Sequence, residues 1–412
     1  MSDAHAQSAA ATATYLPSPN RLGSLDAYRG FVMLLMMGEV LSFGKVADLL
    51  AKAGLPVGLW GFLGHQQEHV SWVGGVLHDL IQPSFSFLVG AALPFSLAAR
   101  AARGQGAGRL TLHAVWRALL LTLLGVALRS TGSSHTNWTL EDTLSQIGLG
   151  YVFLFLVGQR SVRVQWIAFA AILIGYWAAF ALYPLPGADF DYPKVGVSAA
   201  WLQENGLPGF AAHWQKNSNF AWAADKVILN AFPRPTTWEF NRGGYATLSF
   251  IPTLGTMILG LIAGGVLQGN RTPGAKVKRL VVAGVACLAL GWTLDALGIC
   301  PVVKRIWTPS WVLYSGGICL LFLAGFYAVL DVGAVRGWAF FLRVVGLNSI
   351  AAYCIAHLWE GFISRNLVTH LGEDFFRLAG DAYQPFFIGA TVLLVEWLIL
   401  FWMYRRKLFL RI

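Results

Sequence analysis

The sequence predicts an all-α fold: a polytopic transmembrane bundle of about ten helices under an external loop cap. Three observations lead there. The first is composition, since 56% of the 412 residues are hydrophobic and only 12% charged, against about 25% charged in an average soluble domain. The second is the recurrence of apolar runs near the ~20 residues that a helix needs to cross a ~30 Å hydrocarbon layer. The third is where the positive charge falls. A formal charge of +10 would suit nucleic acid if it were clustered. Here the basic residues sit in short connections and at helix ends, as membrane insertion favours, and no nucleic-acid partner is expected.

Residues 1–20 are rich in Ala, Ser and Thr and lack a basic start followed by an apolar core. They are expected to be a disordered arm rather than a cleaved signal peptide. Residues 21–412 read as one transmembrane domain, with spans at about 25–45, 76–98, 112–130, 142–157, 164–182, 245–267, 279–297, 310–330, 338–358 and 385–404. The connections after the second, fourth, sixth and eighth spans carry Arg100, Arg103 and Arg109, then Arg160 and Arg163, then Arg271, Lys276 and Lys278, then Arg336. The tail adds Arg405, Arg406, Lys407 and Arg411. Alternating spans put all of these on the cytoplasmic side together with both termini, and leave Lys304 and Arg305 as an exception outside. Segments at about 46–75, 183–244 and 359–384 are then external. The middle one is rich in Pro, Gly, Trp and Asn, which suits a cap with aromatic faces for sugars or, more plainly, an aromatic belt at the interface. Cys287, Cys319 and Cys354 fall in apolar spans and Cys300 near a helix end. They show no metal-type spacing, so buried small hydrophobes are expected and no metal.

Polar side chains inside apolar spans are costly and mark function by default. On the first span Asp26 and Arg29, three positions apart, either pair structurally on one face or bind ligand. Glu39 lies deeper and needs a partner or an aqueous cavity. The densest cluster is His65, Glu68, His69, Ser71 and Trp72, followed by a helix with His78, Asp79, Gln82 and Ser86. Asp79, Gln82 and Ser86 recur at i, i+3 and i+7, one stripe of an otherwise apolar helix, and Pro83 is expected to free the Asp79 carbonyl. His69 falls at the outer mouth, and an imidazole exchanges a proton near neutral pH. With Glu68 and Asp79 beside it, a catalytic role stands against an interfacial one. Ser349, Tyr353 and His357 repeat every four residues, with Asn348 adjacent, while Glu396 and Gln146 require tertiary partners. Zinc, Walker, GxSxG and HExxH motifs are absent from the sequence.

Ordered motifs give a resemblance. The run Arg21-Leu22-Gly23-Ser24-Leu25-Asp26-Ala27-Tyr28-Arg29-Gly30 is followed by His69-Val70-Ser71-Trp72 and by Asp79-Leu80-Ile81-Gln82-Pro83-Ser84-Phe85-Ser86. Then come Leu144-Ser145-Gln146-Ile147, Ile251-Pro252-Thr253-Leu254-Gly255-Thr256, Trp307-Thr308-Pro309-Ser310-Trp311 and Gly346-Leu347-Asn348-Ser349. Together they resemble, in order, the heparan-alpha-glucosaminide N-acetyltransferase family of membrane acyltransferases. Two departures stand out: Glu39 and Val40 replace the asparagine that usually ends the first helix, and Ile147 replaces the arginine that usually follows the fourth-helix glutamine. The Ile-Gln-Pro-Ser form of the second helix is similar to a bacterial branch, whose substrate need not be heparan-related.

The resemblance implies transfer of acetyl from cytoplasmic acetyl-CoA to an amino sugar or other glycan acceptor across the membrane, in a bacterial inner membrane. It implies His69 as the active-site histidine and Asp79 as its aspartate, with Asp26, Arg29, Glu39, Gln82, Ser86, Gln146 and Asn348 as candidate contacts to substrate or acetyl-CoA. His69 would serve either as general base or as an acetylated nucleophile, and N- and O-acetylation both remain open, as does a homodimer. A reading from another class is a transporter or flippase for a glycan or lipid-linked sugar, with the same ionisable residues as proton relays. Such a protein would not consume a thioester.

Overall fold

A computed structural model describes residues 22–410, so the arm expected at 1–20 lies outside the described residues. Among these the chain is helical, with one isolated antiparallel bridge between Val73 and Val303. The helices are α1 (Gly23–Met37), α2 (Phe43–Lys52), α3 (Gly58–Gln67), α4 (Ile81–Ala101), α5 (Ala107–Arg129), α6 (Thr143–Gly158), α7 (Val162–Ala181), α8 (Ala199–Asn205), α9 (Phe220–Ile228), α10 (Phe250–Gln268), α11 (Pro273–Ala296), α12 (Pro309–Tyr327), α13 (Phe340–Gly346), α14 (Ser349–Leu371) and α15 (Gln384–Arg405).

Eight helical stretches are long and apolar enough to cross a membrane, and a broken pair, Gly337–Gly346 with Ser349–Leu371, bent by 68°, makes up to nine. Thr143–Gly158 is apolar but shorter, at 16 residues. Each of the ten predicted spans therefore finds a helix, with three differences of detail. The first breaks at Ser42, whose φ of 51° starts α2 in a new direction. The 46–75 segment is largely the helical hairpin of α2 and α3. Helix α14 runs on to Leu371, through what the pattern reads as loop from 359, because Trp359, Phe362 and Ile363 extend its apolar surface.

Helices α4, α10 and α12 form the centre. The Thr247–Gln268 span is 78% buried, against 17% for Pro273–Ala296 at the periphery. Lipid tails supply no hydrophobic drive between helices, so close backbone approach must hold them. A Cβ at Gly90 would lie 1.8 Å from the Met257 carbonyl oxygen, and one at Gly260 1.9 Å from that of Phe87. Glycine on both sides of the seam lets α4 and α10 touch along their backbones. Helix α1 docks on this centre through Tyr28, whose hydroxyl donates to Ser84 Oγ at 2.9 Å and whose ring stacks on Phe326.

The 183–244 segment folds as a cap of short helices. Trp214 stacks on Phe180 of α7, Trp72 Nε1 donates to the Trp214 carbonyl at 3.2 Å, and Trp201 meets Trp72 edge-on. Asp225 on α9 joins the cap to the start of the α10 span, its Oδ2 accepting from the Thr247 amide at 2.9 Å. Burial pushes the Asp225 carboxyl up to about 7. With the folded-state value above the unfolded one of about 4, the stabilisation is complete at low pH and is lost as pH rises through 7. Asp225→Asn keeps the acceptor and removes the titration, so the gap in melting temperature between variant and wild type in detergent should widen from pH 4 to pH 8 in the variant's favour. A gap independent of pH would refute this account of the joint.

Candidate active site

Asp79 lies in the 3-10 turn Leu77–Leu80 that leads into α4, and its side chain is fully buried. Pro83 therefore sits in the first turn of α4, where a helix N–H has no partner in any case. This corrects the expectation that it frees the Asp79 carbonyl from within a continuous helix. Both carboxylate oxygens are used. Oδ2 accepts from the Val76 amide at 3.2 Å and the Val70 amide at 3.4 Å. Oδ1 lies 2.6 Å from His69 Nδ1 and accepts from Lys304 Nζ at 3.1 Å.

Lys304 is only 6% exposed. It arrives on the 297–308 connection, which Gly74 fixes by donating to the Val302 carbonyl at 2.8 Å. Thr308 tightens the same turn, its Oγ1 donating to the Pro301 carbonyl and accepting from the Val303 amide. The neighbouring Arg305 bonds the carbonyls of Gly243 and Val70 and lies over the Tyr245 ring. Two segments distant in sequence, 69–79 and 297–308, thus close around one carboxylate.

Lys304 Nζ also lies 3.2 Å from His69 Nδ1, but both nitrogens cannot donate to each other. The consistent arrangement has Nδ1–H and the ammonium both donating to Asp79, which leaves the His69 Nε2 lone pair without a partner among the described residues. Burial holds the Lys304 ammonium below the usual lysine range, and the Asp79 charge opposes that shift.

His69 is partly exposed and, with Lys304, lines a cavity of about 180 Å³ whose walls include Gln82, Tyr245, Asp142 and Tyr353. The His78 ring stands 4.7 Å from that of His69, and its Nε2 is 3.9 Å from Glu39. Of the residues singled out in the sequence, His69, Asp79, Glu39 and Gln82 come together here. Ser86 is buried and bonds the Gln82 carbonyl instead of lining the cavity. Gln146 ties α6 to the α10 entrance through the carbonyls of Leu140 and Thr247. Asn348 clamps the chain end, donating to the Leu408 carbonyl and accepting from the Leu410 amide. Asp26 and Arg29, 3.6 Å apart, lie near the start of α1, about 20 Å along the axis from Glu39. Sequence reasoning missed Lys304 as a site residue. Its signal was present, a lysine on the side where the charge rule did not want one.

A multi-pass helical membrane protein with a buried carboxylate orienting a half-open histidine is the class that fold and site define. No family model matches the chain. It is similar to heparan-alpha-glucosaminide N-acetyltransferase of Homo sapiens, 24% identical over 96% of this chain, and to the Mus musculus protein of that name, 23% identical over the same share. It spans about three fifths of their length, 60% and 61%.

Removing the cation from a buried pair leaves an uncompensated charge, at a loss of roughly 3–5 kcal/mol. Lys304→Met should therefore lower the melting temperature sharply, whereas Arg377→Met, whose three carboxylate partners are exposed, should shift it little. Equal shifts for the two variants would remove Lys304 from this structural role.

Proposed function

We propose that the chain transfers acetyl from acetyl-CoA, taken up at the cytoplasmic face, to an amine or hydroxyl of a glycan acceptor at the outer face of a bacterial inner membrane, with both termini cytoplasmic. The observation that carries this is the His69–Asp79–Lys304 cluster opening on a cavity, with His69 Nε2 free of hydrogen bonds among the described residues. The similarity to two N-acetyltransferases supports acyl chemistry here.

For an amine acceptor, His69 Nε2 takes a proton from the ammonium, the freed amine attacks the thioester carbon, the C–N bond forms and the C–S bond breaks. The second nitrogen proton goes to the departing thiolate, and the proton on His69 leaves to water. Asp79 holds Nδ1–H in place and offsets the imidazolium charge, as a base-orienting carboxylate does. Lys304, lining the same cavity, puts a positive charge near the oxygen that becomes negative in the transition state.

The opposite end of the bundle suits a polyanionic donor. Arg100 and Arg103 close α4, Arg109 opens α5, Arg100 bonds His113, and Arg117 donates to the Tyr151 hydroxyl at 3.1 Å. Among the described residues none of the five forms a salt bridge with a carboxylate.

His69→Ala should lower turnover by about 100- to 10,000-fold, the usual contribution of a general base, with CoA binding and melting temperature kept. Asp79→Asn, which strips Lys304 of its counter-ion, should lower both turnover and melting temperature. Near wild-type acetyl transfer by His69→Ala, measured as acceptor-dependent CoA release, refutes the mechanism. Orientation is tested separately: Gln66→Cys should react with an impermeant maleimide from outside intact cells and Gly104→Cys only after lysis, and the reverse pattern inverts the proposed direction of transfer.

A further inference from the structure

Helices α7 and α11 are peripheral, with 28% of the Val162–Ala181 span and 17% of the Pro273–Ala296 span buried. Between their starts, at the end of the bundle away from His69, a cavity of about 890 Å³ reaches in to the last turns of α4 and α10. It shares no lining residue with the His69 cavity.

The helix ends around this space are held in place. Gln268 Nε2 donates to the Pro94 carbonyl at 3.3 Å and fixes the end of α10 on α4. Gln165 Nε2 donates to the Arg160 carbonyl at 3.0 Å and sets the turn from α6 to α7. Thr272 caps α11 by accepting from the Ala275 amide, and Lys276 Nζ donates to the Leu267 carbonyl at 2.7 Å. A Cβ on Gly265 would meet nothing within 4 Å, so α10 offers bare backbone to the cavity.

The lining divides by chemistry. Leu97, Leu261, Ile262 and Val266 supply an apolar wall, and Arg271 and Arg279 supply two guanidinium groups, with no carboxylate among the lining residues. Neither arginine forms a salt bridge among the described residues. The stretch 269–279 carries Arg271, Lys276, Lys278 and Arg279 and no Asp or Glu. The arginines that suit a polyanionic donor are a different set: Arg100 and Arg117 bond His113 and Tyr151, and neither lines this cavity. Farther along the same two helices, Leu173, Ile174 and Trp177 of α7 and Leu290 and Leu294 of α11 line an apolar cavity of about 350 Å³. From Gln165 to Leu173 is about 12 Å along a helix, within the roughly 15 Å of hydrocarbon in one leaflet.

We propose that this seam holds one anionic phospholipid of the adjoining leaflet, with its phosphate between Arg271 and Arg279 and an acyl chain running along α10 between α7 and α11. Two cations without an acid, set above an apolar wall, complement a phosphate carried on a hydrocarbon tail, and basic pockets between membrane helices take such headgroups. A zwitterionic lipid brings its own cation to the arginines and gains less. The lipid fills the gap that the two peripheral helices leave over α10. This binding is independent of acetyl transfer and is read without it.

The test exposes the purified full chain in mild detergent to equal amounts of dioleoyl phosphatidylglycerol and dioleoyl phosphatidylcholine and counts bound lipid by native mass spectrometry. One phosphatidylglycerol should be retained, with a preference over phosphatidylcholine of about tenfold. Arg271→Gln/Arg279→Gln should abolish the preference with the melting temperature in lipid-free detergent kept. Gly265→Leu, which occupies the space and leaves both arginines, should lower retention of phosphatidylglycerol several-fold. Arg406→Gln, a cation outside the lining, should change neither reading. Equal retention of the two lipids by the wild type, a preference that survives in both folded variants, or an equal loss in Arg406→Gln overturns the proposal. Displacement of the lipid by millimolar CoA or inorganic phosphate also overturns it, because the cavity would then belong to the donor or to a free anion.

Discussion

The rest of the site depends on one buried carboxylate. Asp79 has no exposed surface, and a carboxylate taken out of water is tolerated only when its oxygens are bonded and its charge is matched. Two backbone amides, one imidazole and one ammonium meet that demand. The partners come from two stretches of chain, so satisfying Asp79 also determines where the 69–76 loop and the 297–308 connection lie. The orientation of His69 follows from a requirement of burial as much as from one of chemistry.

That carboxylate is steady because the helix behind it cannot drift. The glycine contacts between α4 and α10 set two backbones against each other at the centre of the bundle, where packing and polar satisfaction must do what the hydrophobic effect does in water. Away from this centre the structure loosens by design of its breaks. The left-handed Ser42 turns α2 away from α1, and the 68° bend before α14 carries that helix outward. Between them lies the cavity of about 980 Å³ that shares Met36, Glu39 and His357 with the lining of the His69 cavity.

The two ends of the bundle differ in charge. Helix α4 runs from the Asp79 turn to Arg100, about 30 Å at 1.5 Å per residue, with carboxylates near one end and, at the other, arginines that form no salt bridge with a carboxylate among the described residues.

What the sequence determined by itself was whatever local periodicity and composition can encode. The apolar runs identified ten helical elements, the polar stripe of Asp79 and Gln82 marked a helix face that had to avoid lipid, and the ordered motifs gave His69 and Asp79 together as what the family resemblance implies. The tertiary structure decided what depended on residues far apart in the chain. Lys304 reaches Asp79 across 225 positions, and no window of sequence holds both. Gln146, Ser86 and Asn348 carried the same polar signature as the site, yet their hydrogen bonds went to backbone groups, because a polar side chain in an apolar span must find some partner and the pattern does not say which. Glu39 was visible as a charge in the wrong place, but its position between two cavities follows from the break at Ser42 and the approach of α15, contacts that close only when the bundle is packed.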